Sequence, residues 1–235
     1  MIKNIVNLGD AAAYCDFGEE VSKEINSEVI NYFRTLKEKN LKGVTNLAPS
    51  YNKLIVTFNL RETTFFDIKN KILDLDVKDK IKDENSKISI PICCEEEYSL
   101  DIERLEKKFS KSKTEIISLF LNKDYFCYMT GFVAGMPFLG DIDNKIQLNR
   151  LETPRVKVPK GSVGLTEQFC NIYTFESPGG WNIIGKTPLN IFNSENLKKP
   201  NLISPGDEIR FYEIKKKGLF KISWKMIILK LLEGA

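Results

Sequence analysis

The stretch GFVAGMPFLG, residues 131–140, sets the character of the C-terminal half of this 235-residue chain. Three glycines, one proline and two phenylalanines within it predict a tight loop over an apolar floor. From Tyr125 onward, Gly and Pro separate short strand-forming runs at intervals of about eight to twelve residues. Such spacing indicates a closed or nearly closed β structure.

The first third of the chain carries a different pattern, in which strand-like and helix-like runs follow one another. Apolar residues recur every three or four positions in the helix-like runs. The predicted elements are a strand at 2–8, a helix at 20–37, strands at 44–48 and 53–59, and a helix from 64 to 75 that Thr64 caps. This order favours a small ferredoxin-like α+β sandwich.

The composition argues against several function classes. Lys and Arg outnumber Asp and Glu by 35 to 32, an excess too small to indicate a nucleic-acid partner. The apolar runs are too short for a signal peptide or a membrane span, so we expect a cytoplasmic protein that has no membrane contact. The sequence contains no histidine, which excludes Ser-His-Asp triads, Cys-His dyads and imidazole bases.

The cysteines are odd in number and scattered, and none forms a CxxC pair. This pattern indicates neither a disulfide framework nor a zinc site, and no metal site is expected. The five are Cys15, Cys93, Cys94, Cys127 and Cys170.

The segment LETPRVKVPKGSV, residues 151–163, places cations at alternate positions of a predicted strand. Arg155 could grip a carboxylate or phosphate in bidentate fashion, with Lys157 and Lys160 on the same face. The alternative is a solvated strand face, which the charge pattern taken by itself favours.

Two further segments offer candidate site residues. In ESPGGW, residues 176–181, Ser-Pro-Gly-Gly predicts a sharp turn whose backbone N–H groups converge on an anion. Trp181 is then either a core anchor or a flat wall for a ligand. In CCEEEYSLD, residues 93–101, clustered carboxylates could bind a metal or act as a base, or could simply begin a helix.

The order of these motifs resembles a known family. Read in sequence, they are similar to the C-terminal domain of the allophanate hydrolase subunit 1 family, and an earlier segment is similar to its N-terminal domain. The matching segments are GFVAGMPFLGD (131–141), LETPRVKVPKGSVGL (151–165), ESPGGWNIIGKTPLNIF (176–192), SPGDEIRF (204–211) and, earlier, GVTNLAPSYNKLIVTFN (43–59). The chain is identified as a member of that family over residues 4–214.

The resemblance implies an α+β fold in two domains and an extension. The domains are a small ferredoxin-like α/β domain at 1–80 and a cyclophilin-like β-barrel at 88–214, followed by a C-terminal extension at 215–235. The polar residues 76–88 read as the linker. In the extension, Phe220, Ile222, Trp224 and Met226 alternate with polar residues, as in a half-buried strand.

The resemblance also implies a function in a complex. The family includes the B component of ATP-dependent 5-oxoprolinase, a hydrolase that opens the lactam of 5-oxoproline to glutamate. The implied partners are an allophanate hydrolase subunit 2-like protein (the C component of 5-oxoprolinase) and a lactam-utilisation-type A component. ATP, with Mg, is the implied cofactor of the complex, without indication of which component binds it. We expect this chain to be inactive alone.

Two alternatives within the family stay open. One is a non-enzymatic inhibitor of a sensor histidine kinase, with an apolar floor that receives a peptide. The other is the carboxyltransferase half of a urea carboxylase or allophanate-type system. This chain carries no biotin-attachment lysine motif, which ranks that alternative last.

Carried over by position, the resemblance implies a set of site residues. Arg155 would hold a carboxylate or phosphoryl oxygen. Glu97 or Asp101, or a group on the subunit 2-like partner, would serve as acid or base. Backbone N–H groups of two loops would stabilise developing negative charge. The implied pocket residues are Phe132, Gly135, Met136, Pro137, Phe138, Ser177, Pro178, Gly179, Gly180 and Trp181.

Overall fold

The computed structural model describes residues 2–77 and 86–219. The chain divides into two compact units, with the boundary between Asn85 and Ser86. The strand predicted around 220–226 lies outside the described residues, as does most of the predicted linker. Within the described part of the chain, no helix is both long and apolar enough to cross a lipid bilayer.

The first unit is a four-stranded antiparallel sheet with two helices. Its strand order is β1-β2-β4-β3, and each neighbouring pair is antiparallel. The elements are β1 (Asn4–Asn7), β2 (Ala12–Asp16), α1 (Lys23–Lys39), β3 (Val44–Pro49), β4 (Lys53–Phe58) and α2 (Phe65–Leu73). The predicted α/β character of this region is confirmed, and β2 is an additional strand.

Strand β2 escaped prediction because its buried face is small. It alternates inward and outward, but the side chains that point into the core are only Ala13 and Cys15. Such residues give a weak period-2 signal. A tight connection joins β2 to β1, with the Leu8 N–H donating to the Ala12 carbonyl at 2.9 Å. The strand that the apolar pattern predicted at 2–8 is therefore half of a hairpin.

Helix α2 begins after the predicted cap Thr64, and α1, predicted from residue 20, begins at Lys23 after the cap Ser22. The Ser22 hydroxyl accepts from the Ile25 N–H at 3.3 Å at the start of α1. Thr64 and Asp67 exchange side-chain and backbone bonds at the start of α2. Buried faces of both helices and of the sheet form one core, which includes Val29, Leu36, Leu54, Val56, Ile68 and Ile72.

In its described residues, 86–219, the second unit contains a seven-stranded sheet, a two-stranded ribbon and three helices. The large sheet has the order β12-β9-β10-β7-β6-β13-β5, and β11 and β8 form the ribbon. Its elements are β5 (Lys87–Ile92), α3 (Ile102–Phe109), α4 (Lys113–Leu121), β6 (Asp124–Thr130), β7 (Pro137–Gly140), β8 (Arg155–Val158), β9 (Ser162–Thr166), β10 (Phe169–Ile172), β11 (Ser177–Gly179), β12 (Asn182–Lys186), β13 (Glu208–Glu213) and α5 (Lys216–Leu219).

The two outer strands of the large sheet meet each other. Just beyond β5, Cys93 forms an antiparallel bridge with Lys186 at the end of β12. The Cys93 N–H donates to the Lys186 carbonyl at 2.8 Å, and the Lys186 N–H donates back at 2.9 Å. The sheet is therefore curled until its edges join at this point, which satisfies backbone groups that an open edge would expose.

The core of the second unit fills the curled sheet and is covered at one end by helices. Phe120, Tyr125 and Phe211 form an aromatic cluster with ring centroids 4.9 to 5.7 Å apart. The Tyr125 hydroxyl donates to the Phe120 carbonyl at 2.6 Å, so this buried polar atom is satisfied. The β8–β11 ribbon carries four of the candidate site residues, namely Arg155, Ser177, Pro178 and Gly179.

Candidate functional site

The centre of the candidate site is a partly buried ion pair between Arg155 and Asp101. Arg155 opens strand β8 and lies opposite Gly179 of β11. Its Nη2 donates to Asp101 Oδ1 at 2.5 Å. The other carboxylate oxygen, Oδ2, accepts from the Ile183 N–H at 2.6 Å, and the Asp101 N–H donates to the Ile183 carbonyl at 3.0 Å. Asp101 therefore ties the start of α3 to β12 and holds Arg155 in place.

This ion pair leaves one part of the arginine unused. Asp101 is 5% exposed and the Arg155 side chain is 28% exposed. The Nη1 of Arg155 is buried and has no hydrogen-bond partner. Because a buried guanidinium nitrogen without a partner is costly, this atom is a natural donor for a ligand oxygen.

Tyr173 lies beside the ion pair and is 2% exposed. Burial raises the pKa of its hydroxyl, and the Trp181 backbone N–H, the Asn171 side chain and the charges of Arg150 and Arg155 oppose that rise. With its pKa raised, Tyr173 stays protonated and uncharged at neutral pH. The Tyr173 hydroxyl is therefore close to two hydrogen-bonding groups, from Trp181 and Asn171, and to two positive charges, from Arg150 and Arg155.

The segment Ser177–Gly179 is a strand and not the sharp turn that the sequence predicted. Neither Gly179 nor Gly180 has a positive φ. Gly179 needs glycine because a ring approaches it closely, whereas the neighbour of Gly180 is the end of a flexible side chain. A Cβ on Gly179 would lie 2.8 Å from the Tyr173 ring, and a Cβ on Gly180 would lie 3.1 Å from the Arg150 guanidinium.

The apolar floor predicted for the pocket is only partly formed. Met136 is 1% exposed and Phe138 packs edge-on against Trp181, with ring centroids 5.6 Å apart. Gly135 has a φ of +68° and its missing side chain leaves room for Phe192. Met136 belongs to a small apolar cluster with Val158, Tyr173 and Ile183, and Phe138 packs against that cluster.

Phe132 departs from that prediction, because its side chain is 84% exposed. The Val133 N–H donates to the Gly131 carbonyl at 2.8 Å, and Phe132 between them has a φ of +66°. That combination is a γ-turn with positive φ, which is rare and strained for a bulky residue. The turn carries the ring outward, away from the floor.

The remaining predicted pocket residues flank this cluster. Pro137 is buried at the start of β7, which suits a residue without an N–H. Pro178 is exposed at the middle of β11. The Ser177 hydroxyl oxygen is buried and has no hydrogen-bond partner.

Glu97 is held in a different cluster from Asp101. It lies on a short 3-10 helix and forms an exposed ion pair with Lys216 at 2.8 Å. Its hydrogen bonds from Lys216 and Tyr98 and the Lys216 charge lower the pKa of its carboxyl. A lowered pKa makes Glu97 a weaker base at neutral pH.

The cations predicted to share a face with Arg155 have partners of their own. Lys157 pairs with Glu176 at 3.0 Å on the surface, and Lys160 lies over the Phe175 ring at 5.9 Å. Arg155 is therefore joined by Arg150, which precedes the predicted strand, and not by the two lysines.

Sequence reasoning missed four residues in this region of the second unit. Arg150, Asn171 and Tyr173 lie in none of the motifs. The fourth, Asn182, is fully buried; it donates to the Asn149 and Leu165 carbonyls and accepts from Arg104. A Tyr or Asn at an inward position of a predicted strand was the only signal, and core packing explains that equally well.

The thiols and carboxylates offer no further chemistry here. All five cysteines are buried and unbonded to one another. Burial raises the pKa of Cys94 to about 12 and holds those of Cys127 and Cys170 well above the ordinary value, so these groups are not thiolates at neutral pH. Within residues 2–77 and 86–219, no three Cys, Asp or Glu side chains are grouped so as to hold a metal ion.

Family comparison agrees with the motif order. Residues 3–203 match the family described as carboxyltransferase domain, subdomain C and D. This chain belongs to that family. The match covers the Arg155–Asp101 pair, the β8–β11 ribbon and the apolar cluster, so the candidate site lies within the family's own fold.

Relatives in the carboxyltransferase C/D family match along nearly their full length. The chain is 30% identical over 225 residues to the B component of 5-oxoprolinase from Bacillus subtilis, covering 91% of this chain and 93% of the relative. It is 30% identical over 209 residues to the B component of 5-oxoprolinase from Haemophilus influenzae, covering 88% and 96%.

A solved structure shares the fold of the chain. TTHA0988 superposes with a TM-score of 0.79 at 25% identity over 87% of this chain. The superposed region is 40% of TTHA0988, so the chain spans about two fifths of that protein. The likeness supports the mixed α/β architecture with its curled sheet.

Proposed function

We propose that this chain is the B component of an ATP-dependent 5-oxoprolinase, a hydrolase complex that opens 5-oxoproline to glutamate. The observation that carries the proposal is the near end-to-end match to the B component of Bacillus subtilis 5-oxoprolinase, at 30% identity. Since 93% of that relative is covered, the likeness is not restricted to a shared module.

Arg155 is the residue that we assign to substrate binding. The ring of 5-oxoproline carries a carboxylate, and a guanidinium with an unpaired Nη1 is suited to bind it. Asp101 then acts as the positioning residue of Arg155, because both of its oxygens are already engaged. The pocket wall consists of Phe138, Trp181 and the Gly179–Gly180 backbone.

The acid or base that acts on the lactam comes from elsewhere in this proposal. Asp101 would have to break a partly buried ion pair to act as a base, and the pKa of Glu97 is lowered by Lys216. We therefore place proton transfer on a residue of a partner protein. This agrees with a chain that is inactive alone.

The partners in this proposal are an allophanate hydrolase subunit 2-like protein, as the C component, and a lactam-utilisation-type protein, as the A component. ATP, with Mg, belongs to the complex. The part of this chain that the structure describes has no metal-binding group of acidic residues, so we assign no step through Mg to its residues.

The architecture is proposed to follow the family in finer detail. The first unit would be a ferredoxin-like sandwich that contains β2 in addition to the predicted strands, and the second a cyclophilin-like barrel. The domain limits would be 1–80, 88–214 and an extension from 215.

The test is ATP-dependent glutamate release from 5-oxoproline by this chain co-purified with its two partners, each omitted in turn. We expect release to stop when this chain is left out. An Arg155→Ala complex that assembles normally should lose most of its turnover. A stable, complete complex without any glutamate release would contradict the proposal.

A further inference from the structure

Arg150 is a cation that no motif and no family position assigns. Its side chain is exposed, and its guanidinium lies against the backbone of Gly180, 3.1 Å from where a Cβ would stand. Within residues 2–77 and 86–219 it forms no side-chain hydrogen bond or ion pair. The neighbouring Leu151 N–H donates to the Gly180 carbonyl at 2.6 Å, which fixes the backbone that carries Arg150.

Arg155 approaches the same glycine segment from the neighbouring strand. It lies opposite Gly179 in the β8–β11 ribbon, and its Nη1 has no partner. Both arginines act on the Tyr173 hydroxyl, where each lowers a pKa that burial has raised. Two guanidinium groups with unused donors therefore approach the Gly179–Gly180 backbone from neighbouring positions, beside the Tyr173 ring that packs against Gly179.

The charge of this cluster selects the kind of anion. Two arginines contribute two positive charges and Asp101 removes one, which leaves a single positive charge. The neighbouring Lys157 is neutralised by Glu176 at 3.0 Å. A net charge of one unit balances a monoanionic carboxylate, whereas a polyphosphate would remain largely uncompensated.

We propose that Arg150 and Arg155 form a two-arginine clamp that binds the carboxylate of a small monoanionic acid, with Asp101 as the residue that positions Arg155. Each guanidinium offers a planar pair of donors, which suits a carboxylate held between them. That the acid is 5-oxoproline rests on the proposed function; the clamp itself does not.

The test measures ligand binding to the full-length chain alone, by ligand-observed NMR. The ligands are L-5-oxoproline, 2-pyrrolidinone, acetate, inorganic phosphate and ATP. 2-Pyrrolidinone has the same ring without the carboxylate, so the clamp predicts that it binds at least about tenfold more weakly than 5-oxoproline. ATP is expected to bind more weakly than 5-oxoproline as well.

Substitutions of Arg150, compared with a control substitution of Arg210, test whether Arg150 binds the ligand. Arg150→Ala is expected to weaken 5-oxoproline binding by about tenfold, and Arg150→Lys to restore part of it, because lysine keeps the charge but not the fork. Arg210→Ala is the matched control. Arg210 pairs with Asp124 at 3.0 Å on the surface of the same unit, and its removal should leave binding unchanged.

Asp101→Asn tests whether Asp101 positions Arg155. The readout is the ratio of phosphate to 5-oxoproline affinity, which would not change if Asp101 had only a structural role. The substitution keeps the shape and raises the cluster charge from one to two. We expect 5-oxoproline binding to weaken while the ratio of phosphate to 5-oxoproline affinity rises. If this variant fails to fold, the comparison of Arg150→Ala with Arg150→Lys still decides the proposal.

The outcomes separate the clamp from the proposed function. Binding of acetate but not 5-oxoproline, lost in Arg150→Ala, would support the clamp and count against the oxoprolinase assignment. Equal binding of 5-oxoproline and 2-pyrrolidinone, or unchanged binding in Arg150→Ala, would overturn the clamp. Absence of monocarboxylate binding at millimolar concentration would also overturn it, even if the assembled complex released glutamate.

Discussion

Glycine is needed at position 179 because the Tyr173 ring packs directly against it. Alanine at this position would place a Cβ 2.8 Å from the Tyr173 ring, in a strand whose partner is Arg155. We expect Gly179→Ala to destabilise the second unit by about 1–3 kcal/mol, the usual cost of overpacking, and to weaken ligand binding. Urea denaturation measures the first effect and ligand-observed NMR the second.

Gly131→Ala is the matched control for that prediction. A Cβ on Gly131 would meet only the end of the Met129 side chain at 3.0 Å, and that flexible group can move. Its effect on stability should stay within about 0.5 kcal/mol. Equal destabilisation by both substitutions would show that close approach to Tyr173 is not the reason for glycine at 179.

Replacing Phe132 by glycine is predicted to stabilise the protein, whereas Gly179→Ala is predicted to destabilise it. Its φ of +66° strains a bulky residue, while an 84% exposed ring loses little by removal. Phe132→Gly should therefore raise the free energy of unfolding by about 1 kcal/mol, as seen when backbone strain is relieved. Phe132→Ala keeps a Cβ and should give no such gain. A loss of stability in the glycine variant would mean that the ring has contacts that compensate the strain.

At the scale of elements, helix α4 depends on the capping box at its start. The Ser112 hydroxyl accepts from the Glu115 N–H at 3.4 Å, and Glu115 Oε2 accepts from the Ser112 N–H at 2.8 Å. Ser112→Ala should cost about 1 kcal/mol in urea denaturation. Ser118→Ala, on the exposed face of the same helix, should be neutral because alanine favours the helix interior.

The contribution of this cap to stability depends on pH, in a direction that follows from the lowered pKa of Glu115. Hydrogen bonds from Ser112 lower the pKa of Glu115 in the folded state. A carboxyl with a lowered folded pKa stabilises the fold above its unfolded pKa, and this contribution is lost as pH falls through the folded value. Between about pH 5 and pH 3, stability should therefore fall less steeply in Ser112→Ala than in the wild type. Identical slopes in pH-dependent urea titrations would contradict this coupling.

At the scale of the whole molecule, closure of the curled sheet depends on Gly185. A Cβ there would lie 2.8 Å from the Cys93 carbonyl oxygen, which accepts from the Lys186 N–H at the bridge. Because backbone cannot yield as a side chain does, Gly185→Ala should destabilise the second unit by about 2 kcal/mol. Hydrogen exchange at the Cys93 and Lys186 amides should become faster.

Gly218→Ala serves as the control for closure. Its Cβ would make ordinary contact with Ile214 at 3.4 Å, and Gly218 lies in the short helix α5. Neither stability nor exchange at the bridge should change. If Gly185→Ala left the exchange rates of both amides unaltered, the bridge would not be what holds the two edges together.

Much of the fold was predictable because its signals are local. Apolar spacing marked helix α1, the capping residue Thr64 marked the start of α2, and Gly and Pro marked many short strands. Strand β2 was missed because Ala13 and Cys15 are small. The Ser177–Gly179 segment was interpreted as a turn. A glycine that is present because neighbouring atoms leave no room for a side chain cannot be distinguished in the sequence from a glycine that adopts a positive φ.

The sequence by itself determined the family, the α+β class and Arg155 as a candidate site residue, because motif order and residue chemistry are local properties of the chain. Only the tertiary structure decided what surrounds Arg155. Asp101 stands 54 positions before it, and Ile183 is 82 positions after Asp101. Pairings over such separations depend on how the sheet curls and which strands meet. For the same reason, Arg150 and Tyr173 acquire a place in the site only when the chain is folded.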